Sequence, residues 1–362
     1  MHAVVLGAGM AGLLTARVLS DFYDRVTIVE RDRLLDNPIQ QMGIPQRRHP
    51  HGFPSRGCRQ LDDFFPGILG DMPFVDLHVR RRVAAIPHVN LLDHHNVWEP
   101  TVITRDRVSG VLLADRDTGK RTAMDADLVV DAMGRGASTS AFLEKLGYGR
   151  PAEHRSAANW AYSSRLLRVP DGDFIEKVML IDPGMGLPRA GLSAHGNDTW
   201  ILTVGRLAAD GEPPADLADM LALVERSLPS AILAGLRTAQ PLDDVAIFRD
   251  TAGVWRRYDQ MQEFPAGLLV IGDALCSLDP VYGNGTTMVA LEALALREYL
   301  RDESENPQRF FRTAAGYIGP TWAMSEANDA HRRRSRFRSS TVPWWRRADR
   351  PPGRRVAPEA PR

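Results

Sequence analysis

The first 32 residues, MHAVVLGAGMAGLLTARVLSDFYDRVTIVERD (1–32), decide the fold. Residues 3–6, AVVL, form a short apolar run of the kind a fully buried strand needs. Residues 12–20 carry apolar side chains at most positions and read as a helix, and 25–30, RVTIVE, read as a second strand. Between the first strand and the helix stands GAGMAG, with Gly7, Gly9 and Gly12 at fixed spacing and Met10 and Ala11 completing the turn. The first glycine permits the tight turn, the second lets backbone approach a pyrophosphate, and the third lets helix and strand pack closely. The helix start offers unpaired N–H groups and the positive end of a dipole to that anion. Glu30 ends the second strand about 20 residues on, where a carboxylate can accept from ribose hydroxyls, with Arg31 beside it. An acid there disfavours a 2′-phosphate, so the dinucleotide held by this turn is NAD or FAD.

The rest of the composition narrows the class by exclusion. Net charge is zero, so no overall field recommends nucleic acid or an anionic membrane. No run of about 20 apolar residues offers a membrane span. The two cysteines, Cys58 and Cys276, have no metal-ligand spacing and suit a reducing cytoplasm. His49, His51, His88, His94 and His95 lack a carboxylate or cysteine at ligand spacing, so no metal site is expected.

Beyond residue 32 the chain does not continue with further βαβ crossovers, as an NAD-dependent dehydrogenase would. A polar, proline-bearing loop, NPIQQMGIPQRRHPHGFPSRG (37–57), leads to two helices, around CRQLDDFFPGIL and DLHVRRRVAAI, and then to a strand, VNLLD. Three strand-like stretches form an antiparallel meander that ends in the buried strand of DLVVDAMGRGAST (127–139). From about 157 to 263 the strands WAYSSRLLRV, KVMLID, RAGLSAH and TWILTVGRL suggest a mostly antiparallel layer, with a helix in PPADLADMLALVERSLP. GLLVI (267–271) then returns to the buried-strand style of the start and runs into GDALCSLDPVYGNGTT (272–287) and a helix. The tail from His331 holds eleven arginines and five prolines in 32 residues without an apolar period, and is expected to be unstructured.

In this combination and order, GAGMAG…VERD (7–32), IPQRRHPHGFPSRG (44–57), DLVVDAMGRGAST (127–139) and GDALCSLDPVYGNGTTMVALEALAL (272–296) resemble FAD-dependent monooxygenases of the p-hydroxybenzoate hydroxylase fold. Within them the chain looks closest to squalene-epoxidase-like bacterial enzymes, which include polyether-pathway epoxidases. The resemblance spans roughly residues 1–325. It implies an α/β fold with a discontinuous Rossmann-type FAD-binding domain (1–156 and 264–330), a smaller antiparallel substrate domain (157–263) and a basic tail (331–362).

The same resemblance assigns roles. Asp273, after Gly272, would accept from a ribityl hydroxyl of FAD. The loop from Pro280 through Gly283, Asn284 and Gly285 to Thr286 would wrap the pyrimidine edge of the ring, with the following helix N-terminus facing the part that gains negative charge on reduction. Asp131, Gly134 and Arg135 would close the cleft from the other side, and Arg48 would reach the flavin, although Arg47 replaces the family's usual glycine. Tyr162 would sit on the sheet facing the flavin as a substrate contact. Cys276 reads as a small buried hydrophobe. Met179, Met185, Trp200, Phe248 and Trp255 suit a substrate lining or a plain core equally.

By resemblance, NADPH or NADH reduces the flavin, directly or through a separate flavin reductase. Oxygen then adds to give a C4a-hydroperoxyflavin, which delivers one oxygen atom to a hydrophobic small molecule by epoxidation or hydroxylation. The hard chemistry is the cofactor's, so no protein nucleophile or general base is required. Two other readings fit the motifs: an isoprenoid-type flavin reductase, and a non-catalytic FAD-binding remnant. The link 70–76, GDMPFVD, stands where the relatives the motifs suggest have some 30 to 40 residues, and the C-terminus also departs from them. An exposed flavin is the expected consequence.

Overall fold

The computed structural model describes residues 1–34, 55–68, 75–169, 178–181, 188–194, 198–249, 251–278, 284–302 and 305–339. The chain opens with β1 (His2–Leu6), α1 (Met10–Leu19) and β2 (Arg25–Val29). Two helices follow, α2 (Ser55–Phe64) and α3 (Val75–Ala84), then β3 (Val89–Leu92). The meander is β4 (His95–Thr104), β5 (Arg107–Asp115) and β6 (Arg121–Asp125), and β7 (Leu128–Asp131) and α4 (Thr139–Lys145) come next.

The middle of the chain supplies β8 (Glu153–Arg155), β9 (Trp160–Arg168), β10 (Val178–Ile181), β11 (Arg189–Ala194) and β12 (Thr199–Leu207). After them come α5 (Leu217–Val224), α6 (Ser230–Arg237), β13 (Gln240–Pro241), β14 (Ala246–Phe248) and β15 (Val254–Arg256). The chain ends its described part with β16 (Leu268–Val270), β17 (Cys276–Ser277), α7 (Gly285–Arg301) and α8 (Pro307–Ser339).

Four sheets result. The base of the molecule is a parallel sheet in the order β16-β7-β1-β2-β3, so a strand from late in the chain pairs beside strands from its start. Its strands are apolar on both faces because both are covered, one by α1 and the helices packed on it and the other by the antiparallel meander; β1, for example, is buried along its whole length. Each fully buried valine or leucine in this sheet and α1 contributes about 1.5–3 kcal/mol. The antiparallel meander β4-β5-β6 stands against it, and a six-stranded antiparallel sheet forms the second layer, with Leu192, Trp200, Leu202 and Val204 packed under α5 and α6. The fold is a mixed α/β fold, as the sequence suggested.

Two expectations change. The helix expected in PPADLADMLALVERSLP is shorter than that stretch: Asp216 caps α5 by accepting the Asp219 N–H at 2.8 Å, α5 ends at Val224, and a second helix, α6, starts after Pro229. The tail also does not lose structure at His331, because α8 continues to Ser339. Arginine is a strong helix former, and no glycine or proline interrupts 331–339.

Candidate functional site

Register in the parallel sheet lines up the ends of its strands. Leu6 pairs with Val29 and with Asp131, Asp131 pairs with Val270, and Val29 pairs with Leu92. The segments that follow, starting at Gly7, Glu30, Ala132 and Ile271, therefore leave one edge of the sheet together, where open α/β sheets bind ligands.

The three glycines of the first turn have three different reasons. Gly7 has φ +103°, and a Cβ there would lie 2.6 Å from the Ala132 carbonyl oxygen. A Cβ on Gly12 would lie 1.8 Å from the Gly7 oxygen, so α1 crosses the turn with no room for a methyl. Gly9 is different: it has an ordinary φ of −73°, and nothing stands within 4 Å of where its Cβ would be. That space lies at the start of α1, where no side chain caps the helix and no acid occupies the first turn.

Glu30 faces the same space. Its Oε2 accepts the Ala8 N–H at 2.8 Å and its Oε1 accepts the Asp32 N–H at 3.0 Å, which fixes the carboxylate while leaving lone pairs for a further donor. Gly7, Gly9, Met10, Glu30, Arg31 and Gly134 are among the residues lining a cleft of about 590 Å³. Ala11 turns away from it and packs against Gly272, whose absent Cβ would stand 2.5 Å from the Ala11 methyl.

A second turn, at Gly272 and Asp273, leaves the same sheet edge after β16. Gly272, at φ +68°, donates its N–H to Glu292 Oε2 at 2.5 Å. Glu292 is wholly buried, and burial pushes its carboxyl well above the ordinary range against the opposing pull of that N–H. Asp273 is exposed, with a carboxylate oxygen 4.0 Å from the Arg135 guanidinium and Gly134, which lines the cleft, alongside. Arg135 donates to the carbonyls of Ala252, Thr251 and Leu278, so it ties three segments together. The start of α7 comes next. Asn284 precedes it without a side-chain cap, no acid lies in its first turn, Gly285 faces open space and Thr286 is buried.

Asp131, expected to help close the cleft, is fully buried, with one oxygen accepting the Met133 N–H at 3.0 Å and the other the Thr139 hydroxyl at 2.5 Å. Burial raises its pKa, and those two hydrogen bonds oppose the rise. It shapes the cleft by holding the Ala132–Gly134 turn. Tyr162 is buried on β9, its ring over Gly205, where a Cβ would come within 2.5 Å of the ring. Trp200 is buried in the core under the helices of the second layer. Arg48, Pro280, Gly283, Met185, His49, His51 and most of the 70–76 link lie outside the described residues. Among the described residues no group of three His, Cys, Asp or Glu could hold a metal ion.

Three features escaped the sequence. Arg80 of α3 is buried and lines the cleft, hidden among three consecutive arginines. Glu292 sits in the otherwise apolar stretch MVALEALAL (288–296) of α7, and that exception was a readable signal. Trp98 lines the cleft from β4 and has no motif to mark it.

No protein-family model matches the chain. Among solved structures it is similar to the flavin-dependent brominase Bmp2, with a TM-score of 0.70 at 14% identity over 96% of this chain and 92% of that one. It is also similar to OxyS, an anhydrotetracycline hydroxylase from Streptomyces rimosus, with a TM-score of 0.61 at 15% identity over 94% and 71% of the two chains. The fold is therefore that of the FAD-dependent monooxygenases. In sequence the chain is 34% identical to Protein Rv3254 of Mycobacterium tuberculosis over 96% of its own length and 84% of that protein. It belongs to the family of that protein. Their alignment runs over 406 positions, more than the 362 residues present here, so the relative carries sequence with no counterpart in this chain.

Proposed function

We propose that this protein holds FAD across the cleft and uses O2 and a reduced nicotinamide to insert one oxygen atom into a hydrophobic small molecule. The observation that carries the reading is the convergence of an open Gly9, a fixed Glu30 carboxylate and the Gly272–Asp273 turn on one sheet edge. The monooxygenase fold and a hydroxylase among its structural neighbours support it.

The residues fit the cofactor. Gly9 and the first N–H groups of α1 leave room and positive dipole for the pyrophosphate. Glu30 is held to accept ribose hydroxyls, and Asp273 to accept from the ribityl chain. Asn284, Gly285 and Thr286 put the uncapped α7 N-terminus toward the ring edge, where it favours negative charge. When bound, FAD supplies the oxygen-activating redox chemistry. The balance is substrate, O2, NAD(P)H and a proton giving oxygenated substrate, NAD(P)+ and water. Residues 1–156 and 264–330 would bind the cofactor and 157–263 the substrate, in the cytoplasm, with the electrons supplied by NADPH or NADH directly or through a separate flavin reductase. No helix among the described residues is long and apolar enough to cross a membrane.

The test is the visible spectrum of the purified protein, followed by oxygen uptake on adding NADPH in air, with and without bromide because a brominase shares the fold. Flavin bands that bleach with NADPH and consume oxygen support the reading. Flavin bands that do not bleach point to a separate reductase or to a binding protein. A colourless protein that FAD does not reconstitute overturns it.

A further inference from the structure

We propose that Trp98 and Arg121 form a stacking platform for the adenine ring at the Glu30 end of the cleft; the inference rests on the reading that the cleft holds FAD.

Trp98 is 53% exposed, an unusual state for a side chain whose burial would release so much apolar surface. The meander shows how it comes to be exposed. Val97 pairs with Leu113 and Glu99 with Leu112, so Trp98 is the extra residue of a β-bulge and opposes nothing on β5. A bulge re-aims the side chain it carries. The re-aimed indole lines the same cleft as Glu30, Arg31 and Asp32. The strand that carries it is fastened to that carboxylate's backbone, since the His95 N–H donates to the Glu30 carbonyl at 2.9 Å.

Arg121 comes from β6, in the row Asn96–Ala114–Arg121 across the meander. Its guanidinium carbon stands 3.7 Å from the centroid of the Trp98 ring. A guanidinium stacked on an indole restrains the ring and adds a cation to a layer of flat groups. Next to a carboxylate placed for ribose, a restrained indole facing a cleft suits a base, because every base has a π-face to stack.

The experiment titrates the full chain, freed of flavin, with FAD, with ADP as the adenine-bearing half, and with FMN as the half without adenine. Trp98→Ala is expected to weaken FAD and ADP alike by about 5- to 150-fold, the range for stacking one base on an aromatic ring, and to leave FMN unchanged. Trp98→Phe is expected to restore most of the loss. The proposal is overturned if Trp98→Ala binds FAD as the parent does, or if FMN weakens by the same factor as FAD. A parent protein that binds none of the three removes the cofactor reading itself, a result distinct from either of those.

Discussion

Glu292 Oε2 lies 2.5 Å from the backbone nitrogen of Gly272, joining the middle of α7 to the turn that carries Asp273. The other oxygen, Oε1, has no hydrogen-bond partner among the described residues. A buried carboxylate with one satisfied oxygen is costly as an anion, and burial accordingly raises the pKa of this carboxyl.

The sign of the pH effect follows. Above the ordinary glutamate range the unfolded chain has lost a proton that the folded protein still holds, so stability falls as pH rises toward the folded pKa. Glu292→Gln removes the titration. Its denaturant midpoint relative to the parent should rise as pH climbs above the ordinary glutamate range. Parallel pH profiles for the two proteins would show that Glu292 is not protonated in the fold.

Gly9 and Gly12 should separate ligand binding from folding. Gly12→Ala drives a methyl against the Gly7 oxygen and is expected to cost about 3 kcal/mol or more, the upper end of overpacking. Gly9→Ala meets nothing, so its stability should stay within about 1 kcal/mol of the parent. The same methyl fills the space assigned to pyrophosphate, and FAD affinity should fall at least about tenfold. Thermal unfolding without flavin, paired with a flavin titration, reads both effects.

Arg135→Ala withdraws a donor from the Thr251, Ala252 and Leu278 carbonyls. We expect a loss of about 1–3 kcal/mol, less than three charged hydrogen bonds would sum to, because water reaches part of the guanidinium. Arg135→Lys should recover little, since a single ammonium cannot span three carbonyls as the planar fork does. Faster amide exchange at Gly253, with the parallel sheet unchanged, would locate the loss.

A short 70–76 link leaves less chain to keep water from the reacting centre. Reduced protein in air should therefore release most of the oxygen it consumes as hydrogen peroxide. A small peroxide yield, with NADPH and oxygen consumed one for one into product, would refute this.

Much of this was legible because local chemistry and global fold agree in the N-terminal unit. Gly7, Gly9, Gly12 and Glu30 follow a spacing dictated by one strand, one turn and one helix. What stayed hidden depends on long-range placement. Asp131 reads as part of the cleft wall, yet only the fold shows that it acts there through Met133 and Thr139, which take its oxygens. Trp98 matters through a one-residue mismatch between β4 and β5, which no periodicity within β4 reveals. The helical stretch 331–339 was missed because an arginine-rich run without apolar period was taken as solvated chain, although its residues favour helix.

The seating of β16 beside β7 has a consequence for how the protein is made. A ribosome that has delivered β1, α1, β2 and β7 has delivered the first turn complete, but the strand pairing with Asp131 through Val270, and the Asp273 turn behind it, are still to come. Until then β7 is an open sheet edge, ready to pair with the wrong chain. Capture of the cofactor therefore waits on synthesis of nearly three-quarters of the polypeptide, and chains cut short before Leu268 should collect as aggregates rather than as small flavin-binding fragments.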